Sequence, residues 1–327
     1  MKIGVKRIAS FVRSGETPPV PPVLGDRGVF IGGYNNVSSD VMDHVTISTT
    51  GVAQDFGDLV NARQKGASFA NGAGERGVMN AGIGSVIYNS SEYITIGSAG
   101  NATVTNGLLN IYYKDHAAVS NGDGDRGVAG GGRNAGNEAL FNTLTYATIS
   151  TMADAADFGD LTTARWGLAS CANVNGNRGV FGGGAVPARV TLMDFITINS
   201  TGNATTFGNL TLGRRGLSAT DNGQSDRGVF MGGESIAGTS NVMDYITINS
   251  GSNAISFGNL TLNRNINYVT SSATSNKLND RGICAGGQTA GGYSDVIDYI
   301  TISTPGNAQD FGDLTVARGF LTAVTNA

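Results

Sequence analysis

One step is spelled six times in this chain. An arginine and a glycine followed by small apolar residues recur at Arg27-Gly28, Arg76-Gly77, Arg126-Gly127, Arg178-Gly179, Arg227-Gly228 and Arg281-Gly282. Successive arginines stand 49, 50, 52, 49 and 54 residues apart. A period near fifty that holds several short strands and no helical pattern is the mark of a β-propeller blade. Six copies predict an all-β, six-bladed β-propeller over residues 25–327, with residues 1–24 standing outside the repeat.

The fifth copy shows how four strands fit into one unit. Residues 216–220 read as a first strand, 221–225 as a turn, and 227–231 as a second strand ending in Gly232-Gly233. A variable loop, 234–241, leads to a third strand at 242–248. The turn 249–253 opens a fourth strand through 257–261. Alternation in Tyr245-Ile246-Thr247-Ile248 and the Gly/Asn turn chemistry support these assignments. Copies four and five nearly coincide, whereas in copy two 107–113 replaces the usual Phe-Gly-Asp/Asn-Leu-Thr-x-x-Arg wording.

The repeat resembles the kelch repeat. A glycine pair ends the second strand at Gly32-Gly33, Gly131-Gly132, Gly183-Gly184, Gly232-Gly233 and Gly286-Gly287. Tyr93, Tyr146, Phe195, Tyr245 and Tyr299 supply the third-strand aromatic, with His44 in that slot in copy one. Phe56, Phe158, Phe207, Phe257 and Phe311 stand where the kelch pattern has Trp. The twelve residues from Tyr245 to Phe257 exceed the kelch spacing, so the third hairpin is extended. The Arg-Gly-Val-Phe-x-Gly-Gly and Phe-Gly-Asp-Leu-Thr wording looks more like kelch-like repeats in structural proteins of tailed bacteriophages. That resemblance implies a virion component.

Two features concern how the ring is held. Residues 318–325 match the start of a blade but no further strands follow, while copy one lacks a first strand. The C-terminal strand 319–325 is therefore expected innermost in the first blade, which removes an open edge. Each fourth strand is followed by Arg63, Arg165, Arg214, Arg264 or Arg318, except in copy two. Third strands begin with Asp43, Glu92, Asp194, Asp244 or Asp298, except in copy three, where Thr145 stands. Adjacent defects of this kind match if each arginine pairs with the acid of the next blade. The predicted inter-blade pairs are Arg63–Glu92, Arg165–Asp194, Arg214–Asp244, Arg264–Asp298 and Arg318–Asp43, as bidentate buried contacts.

Residues 1–24 combine a stiff Pro18-Pro19-Val20-Pro21-Pro22 spacer with Ile3, Val5, Ile8 and Phe11 set among Lys2, Lys6, Arg7 and Arg13. We read this segment as an arm that docks on another subunit.

Composition narrows the function. A net charge of −4 argues against nucleic acid as the main partner, and 16 of the 21 basic residues are arginines at mostly fixed repeat positions. No run approaches the roughly 18 apolar residues of a membrane span, and no signal peptide is recognisable. Cys171 and Cys284 fall in non-neighbouring blades and read as small buried residues rather than a disulfide. With only His44 and His116, in non-equivalent positions, neither a copper oxidase site nor a Ser/His/Asp triad is expected. Trp166 lies in no sialidase box. The run Asn121-Gly122-Asp123-Gly124-Asp125 lacks the distal glutamate of a calcium loop and reads as a hairpin turn. The acid or amide before each Arg-Gly step (Asp26, Glu75, Asp125, Asn177, Asp226, Asp280) suggests local charge balance at that turn.

The expectation is a non-enzymatic virion structural protein with no cofactor or metal, anchored by its arm to other virion subunits and contributing to host attachment. The alternative is a soluble propeller that binds a glycan or a protein. Recognition would fall on the loops between second and third strands, at 34–40, 83–90, 133–142, 185–190, 234–241 and 288–295, which vary while the strands repeat.

Overall fold

The structure is a computed structural model that describes residues 25–72, 75–105, 113–152, 155–173, 177–264 and 272–327. The docking residues Ile3, Val5, Ile8 and Phe11, and the unusual stretch 107–112, lie outside the described residues.

Six antiparallel sheets, each built on four strands, form a six-bladed β-propeller. In blade four the order from axis to rim is Ala169–Asn173, Arg178–Gly182, Leu192–Thr197 and Thr205–Asn209. Blade one departs from sequential order. Its innermost strand is Thr322–Thr325, paired to Arg27–Asn35 with Val29 opposite Val324. The C-terminal strand thus closes the ring, starting three residues later than the repeat suggests. Two other boundaries shift. In blade one the second and third strands run on as a hairpin, with Asn35 opposite Val37 across a left-handed Asn36 (φ 59°), where a loop is expected from the sequence. In blade five the outer strand extends over Ile255–Arg264, ten residues against five in blades one, three, four and six.

The core is not central but divided into wedges between blades. Side chains alternate along a strand, so neighbouring residues face opposite blades. Phe230 packs toward blade four with Phe207, Leu217 and Ala219, while Val229 and Met231 pack toward blade six with Cys284, Ile300 and Ile302. This is the reason for the Val-Phe wording: one residue serves each interface.

The glycine of the Arg-Gly step answers to close approach. A Cβ on Gly127 would come within 2.5 Å of the Phe69 ring, and one on Gly228 within 2.4 Å of the Cys171 sulfur, both on the preceding blade's inner strand. The inner strands carry small residues such as Ser68, Ala118, Ser170, Ala219 and Ala323, and they leave an axial cavity of ≈ 100 Å³. That is room for a few waters and no larger ligand.

Deleting residues 318–327 is expected to abolish soluble folding, because blade one loses its inner strand. Transplanting the same residues ahead of residue 25 should restore a cooperative melt, measured by circular dichroism.

Candidate functional site

The residues expected to join the blades are brought together, on a common plan. Arg165 Nη1 lies 2.6 Å from Asp194 Oδ2, Arg264 Nη2 lies 2.7 Å from Asp298 Oδ2, and Arg318 Nη1 lies 2.6 Å from Asp43 Oδ2. Arg63–Glu92 and Arg214–Asp244 are also ion pairs. All five arginines are fully buried. The contact differs from the bidentate fork expected, since one guanidinium nitrogen meets one carboxylate oxygen. Further donors serve carbonyls of the next blade: Arg264 Nη1 reaches Cys284, Gly286 and Val296 at 3.2, 3.2 and 2.9 Å, and Arg318 Nε reaches Gly32 at 2.8 Å, whereas the buried Nε of Arg165, Arg214 and Arg264 finds no acceptor among the described residues. The second carboxylate oxygen accepts from the Thr of the Phe-Gly-x-Leu-Thr motif, as Thr162 Oγ1 to Asp194 Oδ1 at 2.6 Å and Thr261 Oγ1 to Asp298 Oδ1 at 2.5 Å. Burial lowers the pKa of Arg63, Arg165, Arg214 and Arg318, opposed by the paired acid. An arginine so placed stays protonated.

Copy one carries its own compensation. Val60 occupies the Thr position and has no hydroxyl, yet its partner blade presents a glutamate, one methylene longer. Glu92 Oε2 accepts from the Val60 amide at 2.7 Å, and Oε1 accepts from the Asn61 side chain at 3.0 Å.

A second belt near the opposite face was missed in the sequence, although its signal is there as Asn-x-x-x-x-Arg-Gly. Asn71, Asn121, Asn173, Asn222 and Asn276 each accept from the amide of the arginine five residues on, at 2.9–3.0 Å. Asn326 does the same for Arg27 at 3.1 Å, across the closure. Four of these asparagines donate to the pre-arginine acid of the next blade: Asn71 to Asp125 (3.0 Å), Asn173 to Asp226 (2.5 Å), Asn222 to Asp280 (2.9 Å) and Asn276 to Asp26 (3.0 Å).

The Arg-Gly arginines are therefore not balanced by the acid before them, as the sequence suggests. That acid is committed to the turn and to the asparagine. The guanidinium instead lies over the third-strand ring of its own blade, as Arg178 over Phe195 at 4.2 Å and Arg227 over Tyr245 at 4.4 Å. It also donates to a carbonyl of the next blade: Arg126 to Ile198 at 3.3 Å and Arg281 to Ile47 at 3.2 Å.

Only one face breaks the plan. Two residues after the belt-arginine position, which Tyr113 fills in copy two, the chain turns through a left-handed conformation at Lys65 (φ 61°), Asp115 (φ 59°), Gly167 (φ 67°), Gly216 (φ 61°) and Phe320 (φ 60°). Backbone hydrogen bonds link these positions around the axis: Lys65 to Phe320 at 3.3 Å, Asp115 to Lys65 at 3.1 Å, Gly167 to Asp115 at 2.8 Å and Gly216 to Gly167 at 2.7 Å. Glycine satisfies this geometry in two blades, so Lys65, Asp115 and Phe320 keep side chains there against a backbone penalty. Around them lies non-repeating chemistry. Arg133 pairs with Asp115 at 2.7 Å and with Glu138 at 2.5 Å, and its guanidinium stands 4.0 Å from the Trp166 ring. Lys114 pairs with Glu138, and Glu234 with both Arg189 and Arg215. Tyr34, Tyr293 and Phe320 meet edge to face at 5.7–6.3 Å. Burial pushes the Asp115 carboxyl up to about 6 against the pull of Lys65 and Arg133. It lowers His116 to about 4.

The remaining candidates are structural. His44 sits edge to face with Phe56 at 5.8 Å, its pKa lowered by burial and by Arg27. Cys171 and Cys284 are free and buried. In the run 121–125, Gly122–Gly124 is a 3-10 turn, and the Asp125 carboxylate accepts from the Ser150 amide and from Asn71. Among the described residues no cluster of three metal-ligating side chains occurs, and no helix is long and apolar enough to cross a membrane.

Compared with known proteins, the chain matches no family model and none of the curated proteins.

Removing one partner of a belt pair strands a buried charge. Arg214→Met or Asp244→Asn should each cost about 3–5 kcal/mol in urea unfolding, and the double variant Arg214→Met/Asp244→Leu should recover most of that loss.

Asp115 and His116 shift in opposite senses over one pH window. The raised carboxyl contributes stability below its unfolded pKa of 3.8 that is lost as pH rises through about 6. The depressed imidazole contributes stability above 6.5 that is lost as pH falls through about 4. The two slopes offset in the parent protein. Asp115→Asn should therefore expose the histidine slope, with the urea midpoint rising steadily between about pH 4 and 6.5.

Proposed function

We propose that this propeller is a non-enzymatic scaffold that presents one face for recognition, and that it serves as a structural component of a tailed-phage virion. A single observation carries the scaffold reading. The ionic and amide groups that recur from copy to copy are consumed in holding blade to blade, in two belts. Chemistry that does not repeat gathers on one face, where Lys65, Asp115, Arg133, Trp166 and Phe320 surround the axis and the variable loops surround them. A rigid frame with one individual face is the form taken by sites grafted on repeat scaffolds.

The virion setting rests on the wording of the repeat, which resembles kelch-like units in structural proteins of tailed bacteriophages. In this reading residues 1–24 fasten the propeller to other virion subunits and the loop face points outward toward a host surface. Neither nucleic acid nor a membrane span has a part in it. A soluble glycan- or protein-binding module would use the same face, so location separates the two readings.

Mass spectrometry of purified particles is expected to find the chain at a fixed copy number. A variant lacking residues 1–24 should fold with an unchanged melting temperature yet be missing from particles. Absence of the full-length chain from particles would overturn the virion reading and leave the free module.

A further inference from the structure

A groove of ligand size lies on the loop face where blade five departs from the other blades. The long outer strand Ile255–Arg264 rises past the point where other outer strands stop, and Ser240 pairs opposite Arg264 at its end. Its upper part, with Thr239, forms one wall. The other wall is the loop hairpin of blade six, Gln288–Thr289 against Gly292–Tyr293. Between them is a cavity of ≈ 440 Å³ lined by Thr239, Leu262, Asn263, Thr289, Tyr293 and Asp295 among others. That volume lies within the range of small-molecule sites.

We propose that this groove is a binding subsite for a neutral, hydroxyl-rich glycan. The inference rests on the reading of this face as the recognition face and names the ligand class it takes.

The lining has the two components a sugar ring needs. One is an aromatic surface fixed in advance. Tyr293 is held edge to face by Tyr34 at 5.7 Å and by Phe320 at 6.3 Å, so no side-chain freedom is lost when a pyranose stacks on it. Leu262, 37% exposed, offers a second apolar contact on the opposite wall. The other component is a set of short polar side chains of mixed sense. Asn263 brings two donors and an acceptor, the Thr239 and Thr289 hydroxyls act as either, and Asp295 accepts only. Hydroxyls arrayed around a ring pair well with such a set.

Charge selects among glycans. Asp295 opens onto the groove, and Asp310 and Asp313 stand close enough that Asp295 and Asp310 help burial raise the Asp313 carboxyl. An acidic sugar or a phosphate would meet this local negative field without a compensating cation among the lining residues. A peptide would find few apolar anchors there beyond Leu262 and Tyr293.

The test uses the purified full chain and three neutral trisaccharides, maltotriose, chitotriose and raffinose, with 3′-sialyllactose as the acidic arm, followed by NMR titration. At least one neutral trisaccharide should give saturable shifts confined to 239, 262–263 and 289–295. Asn263→Ala and Leu262→Ala alter exposed side chains and leave the fold intact, and each should weaken binding about fivefold or more. Tyr293→Phe should retain binding and Tyr293→Ala should lose it, with melting curves separating loss of fold from loss of platform. Absence of saturable binding by all three neutral sugars overturns the proposal, as does binding unchanged in Asn263→Ala and Leu262→Ala. Equal or tighter binding of sialyllactose overturns the neutral class. None of these outcomes depends on whether the chain is found in virions, so the two readings fail separately.

Discussion

The register of this ring depends on burying an arginine and a carboxylate at five of its six blade junctions. Removing such charges from water carries a penalty of several kcal/mol per ion, which the ion pair alone does not offset. The structure meets it with further hydrogen bonds on both partners. Each guanidinium meets one carboxylate oxygen and places further N–H groups on strand-end carbonyls of the next blade, while in four of the five pairs a threonine hydroxyl takes the second oxygen. These are directional contacts, unlike the apolar wedges between blades, and they select one register of blade on blade. The Val60–Glu92 exchange shows the same rule from the other side: when the hydroxyl is missing, the acid lengthens until it finds backbone amides.

Two belts, one toward each face, explain why the repeat tolerates so much change elsewhere. The arginine–acid belt pins the ends of the third and fourth strands, and the asparagine belt pins the first turn of each unit to the next. Loops between second and third strands carry none of the paired acids or belt asparagines and are free to differ. The same division separates scaffold from candidate site. Between blades two and three the arginine–acid pair is absent from the sequence pattern, and nearby stand Asp115, Arg133, Lys114 and Glu138 in a network that no other junction has among the described residues.

Much of the fold was legible because a propeller is periodic. Six Arg-Gly steps count the blades, alternating Tyr-Ile-Thr-Ile marks third strands, and a spare strand at one end answers a missing one at the other. The ion pairs were legible for a related reason: a gap in one column matched a gap in the next. The asparagine belt was equally periodic but escaped notice, since an Asn before a turn has an ordinary local explanation. Misreading the Arg-Gly arginine had the same source. An acid beside an arginine in sequence suggests a pair, but in the fold the acid faces the turn and the previous blade while the guanidinium faces its own aromatic.

By itself the sequence determined what recurs: the number of blades, the four strands in each, the strand that closes the ring, and which residues carry the belts. Those follow from patterns within one unit or between equivalent positions. Only the tertiary structure decided what does not recur. The left-handed ring at Lys65, Asp115 and Phe320, the setting of Trp166 beside Arg133 and Arg215, and the groove walled by the long strand of blade five all depend on which unlike residues meet across a junction. A period fixes where equivalent residues lie around the axis, and it carries no information about positions at which the copies differ.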